Sequence, residues 1–409
     1  MSFTLLLDLD DTLLKNNFDE FLPYYLETFS KSASPILEPE SFVKALMEST
    51  WAMIKNRQPD CTLMEVFESS FYPKMHINKE DFQIFAEKFY LEEYPKLQVL
   101  TKPIPGAAEL IQAANKKGFS VSISTNPIFP MVEIRERLDW ANLSWKENQY
   151  DLISSFETFH FAKPDPAYFA ELLAQLGWPQ GAVLVVGDDL ENDIFAANQL
   201  GLTTYWVNPV DEEIESKLIS ATSQGSLADL MLWIERTPLE QLMPNYSTVE
   251  SILATLRSTP AALDTISRNS DNSMWALHPL EGEWGITEIM CHLRDVDMEV
   301  NHQRVVQMLE ENNPFLPGID TDRWADDRKY FEQDGESALK GFIAARINLV
   351  EHLEKLDRSD WERPARHAIF GPTSLKELLS ISASHDRMHL RQVNKIIKAL
   401  FADNRFSNN

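Results

Sequence analysis

The stretch Phe3-Thr4-Leu5-Leu6-Leu7-Asp8-Leu9-Asp10-Asp11-Thr12 decides the fold of the front half. A short apolar, β-prone run breaks off into acids, as expected of a buried strand whose carboxyl end carries polar groups. Open parallel sheets place their ligand sites at that edge. Further runs at 120–124, 183–186 and 203–207 are also β-rich, end in polar residues and precede helical pattern. Strand and helix in alternation predict a parallel sheet flanked by helices, an α/β fold. Between the first two runs, about 15–100 has no convincing strand. It is rich in Phe, Tyr, Leu and Glu at helical spacing and reads as an inserted helical subdomain.

With 409 residues the chain exceeds one ordinary domain. After residue 207 come the acids Asp211, Glu212, Glu213 and Glu215, a polar run over 220–226 and an apolar helix over 227–235. Residues 237–246 resemble a connector, so we set domains at 1–240 and 247–409 with a linker at 241–246. Beyond it strand signals vanish. Amphipathic patterns predict helices near 247–269, 285–311, 335–356 and 374–401, which can bury their stripes against one another as an antiparallel four-helix bundle.

Net charge is −26, with 63 acidic against 37 basic residues, and most of the acidity precedes Glu240. Such a surface repels phosphate backbones and anionic lipid, so neither nucleic acid nor a membrane is the expected partner. Two cysteines, Cys61 and Cys291, make no disulfide framework and suit a reducing compartment. The start lacks the basic, then apolar, pattern of a signal peptide. The expected location is the cytoplasm.

Three segments join the acidic pair Asp8 and Asp10: Ser122-Ile123-Ser124-Thr125-Asn126, Phe161-Ala162-Lys163-Pro164-Asp165-Pro166 with a proline suited to a helix start, and Gly187-Asp188-Asp189-Leu190-Glu191-Asn192-Asp193. In this order they resemble the four motifs of the haloacid dehalogenase superfamily over roughly 1–237. The resemblance implies a Rossmann-like core with a helical cap and a phosphatase-type hydrolase acting on a small phosphorylated substrate. Asp8 would be the nucleophile that forms a phospho-aspartyl intermediate, and Asp10 the acid and base. Mg²⁺ would sit on the Asp8 carboxylate, the Asp10 carbonyl and Asp188. Thr125, Asn126 and Lys163 would hold the phosphoryl oxygens, while Asp193 or Asp189 supports the metal or orients Lys163. In the family so resembled, dehalogenases and phosphonatases lack an aspartate at the position of Asp10, whereas phosphatases and phosphomutases keep it, so Asp10 favours phosphoryl chemistry. Tyr24, Tyr25, Trp51 and Tyr90 are read as cap core.

On the last helix Leu375, Leu378, Ser382, His385, His389, Gln392 and Ile396 share one face, and on the second Ile289, His292 and Val296 share another. Three imidazoles on inward stripes are either core residues hydrogen-bonded to neighbours or metal ligands; three together favour the metal. A zinc-protease reading of His385-Asp386-Arg387-Met388-His389 is a poor fit, since the shorter Asp386 stands in place of the general-base Glu and no downstream third ligand follows. The segments Glu283-Trp284-Gly285-Ile286-Thr287-Glu288-Ile289-Met290-Cys291-His292 and His385–Gln392 resemble the DinB-like (YfiT-like) bundles over roughly 247–405. That resemblance implies a divalent transition metal (Zn, Ni, Mn or Fe) on His292, His385 and His389, with open positions for water or a thiol, and a hydrolase or thiol-transferase role. The alternative is a noncatalytic module for homodimerisation or partner binding. Gln392 is a candidate outer partner of the histidines, Asp386 is expected in a surface salt bridge, and His278, His302, His352 and His367 are read as structural or exposed.

Overall fold

A computed structural model describes residues 2–208, 221–270, 274–278 and 282–406. The acidic run Asp211 to Glu215 lies outside them. Two compact units divide the chain: 1–57, 61–169 and 180–245 form one, and 58–60, 170–179 and 246–409 the other.

In the first unit the strands are β1 (Phe3–Leu7), β2 (Leu14–Asn16), β3 (Thr101–Pro103), β4 (Ser120–Ile123), β5 (Leu152–Ile153), β6 (Ala182–Gly187), β7 (Thr203–Val207) and β8 (Ser223–Gly225). Six of them form a parallel sheet in the order β5-β4-β1-β6-β7-β8. Every residue of β1 and β6 is buried, as a sheet covered on both faces requires. Because β1 lies between β4 and β6, the chain leaves it to both sides, and the crevice at that reversal sits at the carboxyl ends of the strands.

Two expectations need correction here. The insertion is not strand-free, since β2 and β3, where the chain enters and leaves it, pair antiparallel from Leu14↔Pro103 to Asn16↔Thr101. The polar run after residue 220 contains β8, which pairs with Tyr205 to Val207 through its backbone and needs no apolar side chains. Between β2 and β3 stand four helices, Phe18–Ala33, Pro39–Ile54, Leu63–Met75 and Lys79–Glu92. Thr62 and Glu65 form a capping box at the third. Their core is aromatic: Phe29 stacks on Phe89 at 4.1 Å and meets Phe42 edge-on at 5.1 Å. Tyr25 joins it, with its hydroxyl 3.1 Å from that of Tyr90. Tyr24 and Trp51, read as core, are instead 48% and 55% exposed.

The expected linker is not a free connector. A 3-10 turn, Leu239–Leu242, buries Leu242, and the Asn245 N–H donates to the Gly201 carbonyl at 2.9 Å.

The second unit holds helices Val249–Asn269, Ile286–Val296, His302–Glu310, Gly335–Leu353 and Leu375–Phe406. The expected single helix over 285–311 is interrupted by one π-helical turn, Asp297–Asn301, a local widening often found beside functional groups. Ile252, Leu256, Val305, Leu349, Leu375 and Leu379 belong to its core. Contrary to the sequence reading, strands do occur: β9 (Phe315–Leu316), β10 (Pro364–His367) and β11 (Gly371–Ser374) make a small sheet. Among the described residues no helix is long and apolar enough to cross a membrane.

Candidate functional site

The carboxyl ends of β1, β4 and β6 bring the motif residues together. Asp8 follows β1, and its N–H still pairs with the Val186 carbonyl at 2.9 Å. Carboxylate oxygens of Asp8, Asp188 and Asp193 lie within 4.8 Å of one another. The buried Lys163 ammonium donates to Asp8 Oδ1 at 2.9 Å and to Asp193 Oδ1. Asn126 Oδ1 accepts from the Lys163 N–H at 3.2 Å, and Thr125 is buried at the end of β4.

Local sequence explains these placements. Asp11 takes φ 57°, a left-handed conformation that Asp tolerates, and turns the chain after the acidic pair. A Cβ on Gly187 would stand 2.2 Å from Asp193 Oδ2, so only glycine lets that carboxylate approach. Thr12 Oγ1 donates to Asp188 Oδ1 at 3.0 Å, and the Trp206 indole donates to the Asp188 carbonyl at 2.7 Å. Of the two acids left open above, Asp193 reaches Lys163, whereas Asp189 accepts from the N–H groups of Glu191 and Asn192 and caps the turn. The helix after Lys163 begins at Pro166 rather than Pro164.

Three carboxylates lie with one ammonium in a buried site, and burial first, then their mutual charge, raises their pKa values. Burial pushes the Asp8 carboxyl well up, with Asp193, Asp188 and Asp10 adding to it against Lys163. Burial and Asp193 bring Asp188 to about 7. Burial opposes charge on Lys163, but Asp193 and Asp8 override it and raise its pKa. Such an excess of hard oxygen charge suits a divalent cation.

The Asp10 side chain is held apart from this trio. Arg137 of the helix Met131–Trp140 binds Asp10 Oδ2, and Asn16 Nδ2 donates to Oδ1 at 3.2 Å. Neither residue figures in the sequence reading. Arg137 is one of two arginines in the helix Met131–Trp140, and nothing in its spacing sets it apart from Arg135.

In the second unit His292 Nε2 is 3.0 Å from His385 Nε2, which is 3.1 Å from His389 Nε2. His385 Nε2 carries either one proton or one lone pair, so it can make a well-directed hydrogen bond with only one of the two other nitrogens. A shared cation satisfies all three, and the donor set suits a borderline transition metal. Gln392 Oε1 lies 3.1 Å from His389 Nδ1 and fixes a proton there, leaving Nε2 free to ligate. Trp284 lies nearly parallel to His389, at 5° and 6.0 Å between centroids. Burial lowers the pKa of His385 and His389 to about 4, and burial with the two neighbouring imidazoles lowers His292 to about 2.

Asp386 is buried, not at the surface. One residue beyond His385, it faces inward to Arg346, which also donates Nε to Asp297 Oδ2 at 2.6 Å and Nη1 to the Leu256 carbonyl at 2.9 Å. Arg346 and Asp297, both buried, were not singled out from sequence, because their signal is a partner 40 or more residues away. His278 pairs with Glu288 at 2.7 Å, and His367 Nδ1 accepts from the Ile369 N–H at 3.1 Å.

Comparison with known proteins accords with this division. The family model of haloacid dehalogenase-like hydrolases matches residues 4–201, and that of the DinB superfamily matches 249–393. The pyrimidine 5'-nucleotidase YjjG of Escherichia coli is 31% identical over 129 residues, 31% of this chain and 55% of its own length. A phosphoglycolate phosphatase of Aquifex aeolicus is 32% identical over 31% of this chain and 55% of its own. The chain thus spans about half the length of these curated relatives. OB0413 of Oceanobacillus iheyensis, which carries the name of a metal-dependent hydrolase, is 25% identical over 39% of this chain and 92% of its own.

Proposed function

The chain joins a haloacid dehalogenase-like hydrolase domain (4–201) to a DinB-superfamily domain (249–393), and from that premise we propose that the first hydrolyses a small phosphate monoester through Asp8 with Mg²⁺, while the second binds a divalent transition metal on His292, His385 and His389. The observation that carries the reading is the buried contact of Lys163 with Asp8 and Asp193, beside Asp188. It supplies a nucleophile, a fixed cation and a surplus of carboxylate in one pocket.

Asp8 attacks phosphorus in line, and the bond to the leaving oxygen breaks as Asp10 gives that oxygen its proton. Asp10 then takes a proton from water, the water oxygen bonds to phosphorus, and the bond to Asp8 breaks to release phosphate. Lys163 and Thr125 hold phosphoryl oxygens throughout, and Asp193 orients Lys163. Asp8, Asp188 and the Asp10 carbonyl would hold Mg²⁺, which would neutralise the phosphate charge. The relatives named for nucleotide and phosphoglycolate hydrolysis support a small monoester as the substrate class. Asp8→Asn tests this: release of inorganic phosphate should fall by roughly 10³-fold or more with the fold retained, and substantial turnover by the variant defeats the assignment.

For the bundle, His292, His385 and His389 would hold a divalent metal that could activate water or a thiol, which supports a hydrolase or thiol-transfer role. Elemental analysis of the purified protein and of His385→Ala separates this from a noncatalytic module. Equal metal content in both would defeat the metal reading.

A further inference from the structure

Arg137 is 1% exposed, yet its guanidinium is poorly served as a structural ion. Its Nε and Nη2 have no hydrogen-bond partner among the described residues, and Nη2 stands 3.9 Å from Glu133 Oε1. That oxygen already accepts from the Tyr94 hydroxyl at 2.8 Å. Among the described residues the guanidinium's hydrogen bond runs from Nη1 to Asp10 Oδ2, and its face lies 4.6 Å over the Phe129 ring. Burying a guanidinium with two idle donors is a poor way to stabilise a fold, since an apolar side chain of similar volume serves as well or better. The arrangement is economical only if the bond to Asp10 is its purpose.

The second grip on Asp10 has a different origin. Asn16 ends β2, and β2 and β3 are the two crossings between the sheet and the helical insertion. One oxygen of Asp10 is therefore tied to the helix Met131–Trp140, and the other to β2, where the chain enters the insertion.

We propose that Arg137 is the positioning residue of the acid and base Asp10, with Asn16 tying the other carboxylate oxygen to β2. This rests on the phosphatase reading above. Arg137 touches no substrate in this account and acts through the direction in which it points the Asp10 carboxyl.

The consequence is selective. p-Nitrophenolate leaves without needing a proton, whereas an alkoxide does not, so misdirecting Asp10 must harm alkyl esters more than the nitrophenyl ester. The quantity to follow is kcat/KM, which covers formation of the phosphoenzyme and excludes its hydrolysis. In full-length protein with Mg²⁺, Arg137→Met should lower kcat/KM for glycerol phosphate or ethyl phosphate at least about tenfold more than for p-nitrophenyl phosphate, a share of the ~10²–10⁴ that acid catalysis contributes. Arg137→Lys, which keeps the charge and most of the volume, should show the same selectivity in smaller degree, and it stands in should the methionine variant fail to fold. In an Asp10→Asn background, Arg137→Met should cost the alkyl ester nothing further. Equal losses on both esters, or a full additional loss in the Asp10→Asn background, overturns the proposal. Absence of phosphate release from either ester by the unmodified protein overturns the phosphatase reading itself, a different outcome from a loss without selectivity.

Discussion

Acidifying the metal-free protein should unfold the bundle from its histidine centre. The unfolded chain protonates its imidazoles near 6.5, whereas burial holds His385 and His389 at about 4 in the folded state. Between those values the unfolded chain binds protons that the folded one refuses, so stability is present above 6.5 and is lost as pH falls. The gap of about 2.5 at 1.36 kcal/mol per pH unit is worth about 3–4 kcal/mol for each imidazole, about 7 for the two. His292 adds to this only at still lower pH. A loss of that size rivals the ~5–15 kcal/mol of a whole domain. A bound ion opposes it, adding about 2.7 kcal/mol when present at a hundred times its dissociation constant. The assay is amide hydrogen exchange by mass spectrometry on peptides from Ile286–Val296 and Leu375–Phe406, from pH 7.5 down to 4.5, with chelator and with zinc. Exchange corrected for intrinsic rates should accelerate below about 6.5 with chelator, and zinc should delay its onset. In His385→Gln/His389→Gln the pH dependence should flatten. Protection independent of pH in the chelated protein, or an unchanged slope in the double variant, would refute the reasoning.

The front domain should respond to pH with the opposite sign. Asp188 titrates at about 7 when folded against 3.8 in the free side chain, so its contribution is present below 3.8 and is lost as pH rises through 7; Mg²⁺ should restore protection of β1 and β6 at neutral pH, and indifference to Mg²⁺ would count against the site. Lys163→Met removes the one ammonium from three carboxylates and should cost about 3–5 kcal/mol at neutral pH, less at pH 5 where the acids take up protons, as read by denaturant titration. Arg346→Met strands Asp297 and Asp386 in the core and should also cost about 3–5 kcal/mol, while replacing all three with apolar residues should recover most of it. Failure of the triple replacement to recover would show that the network does more than neutralise itself.

What sequence could reveal followed from how local each signal is. Strands β1 and β6 are legible because burial on both faces writes a nearly continuous apolar run, with acids after each marking the carboxyl ends, and β7 because Thr203-Thr204-Tyr205-Trp206-Val207 is rich in β-branched and aromatic residues. The pairing of His385 with His389 is legible because one helical turn separates them. β2, β3 and β8 are not, since they are three residues long and held by backbone pairing with partners far along the chain. Asp386 was misjudged for the same reason: an acid on a helix reads as solvated until Arg346, 40 residues earlier, is known to lie against it. Arg137 was invisible because its role depends on Asp10, 127 residues away. The choice of Asp193 over Asp189 needed the backbone of the turn after β6, where the Asp189 side chain is taken up in capping.

The most direct test of the account is chemical trapping of the intermediate. Protein turning over p-nitrophenyl phosphate with Mg²⁺ is quenched, reduced with borohydride, digested and read by mass spectrometry, since an acyl phosphate is reduced to an alcohol while a free carboxylate is untouched. The account predicts homoserine in place of Asp8 in the amino-terminal peptide, dependent on substrate and absent from Asp8→Asn. Continuing turnover with Asp8 unreduced, or reduction at another acid, would contradict it.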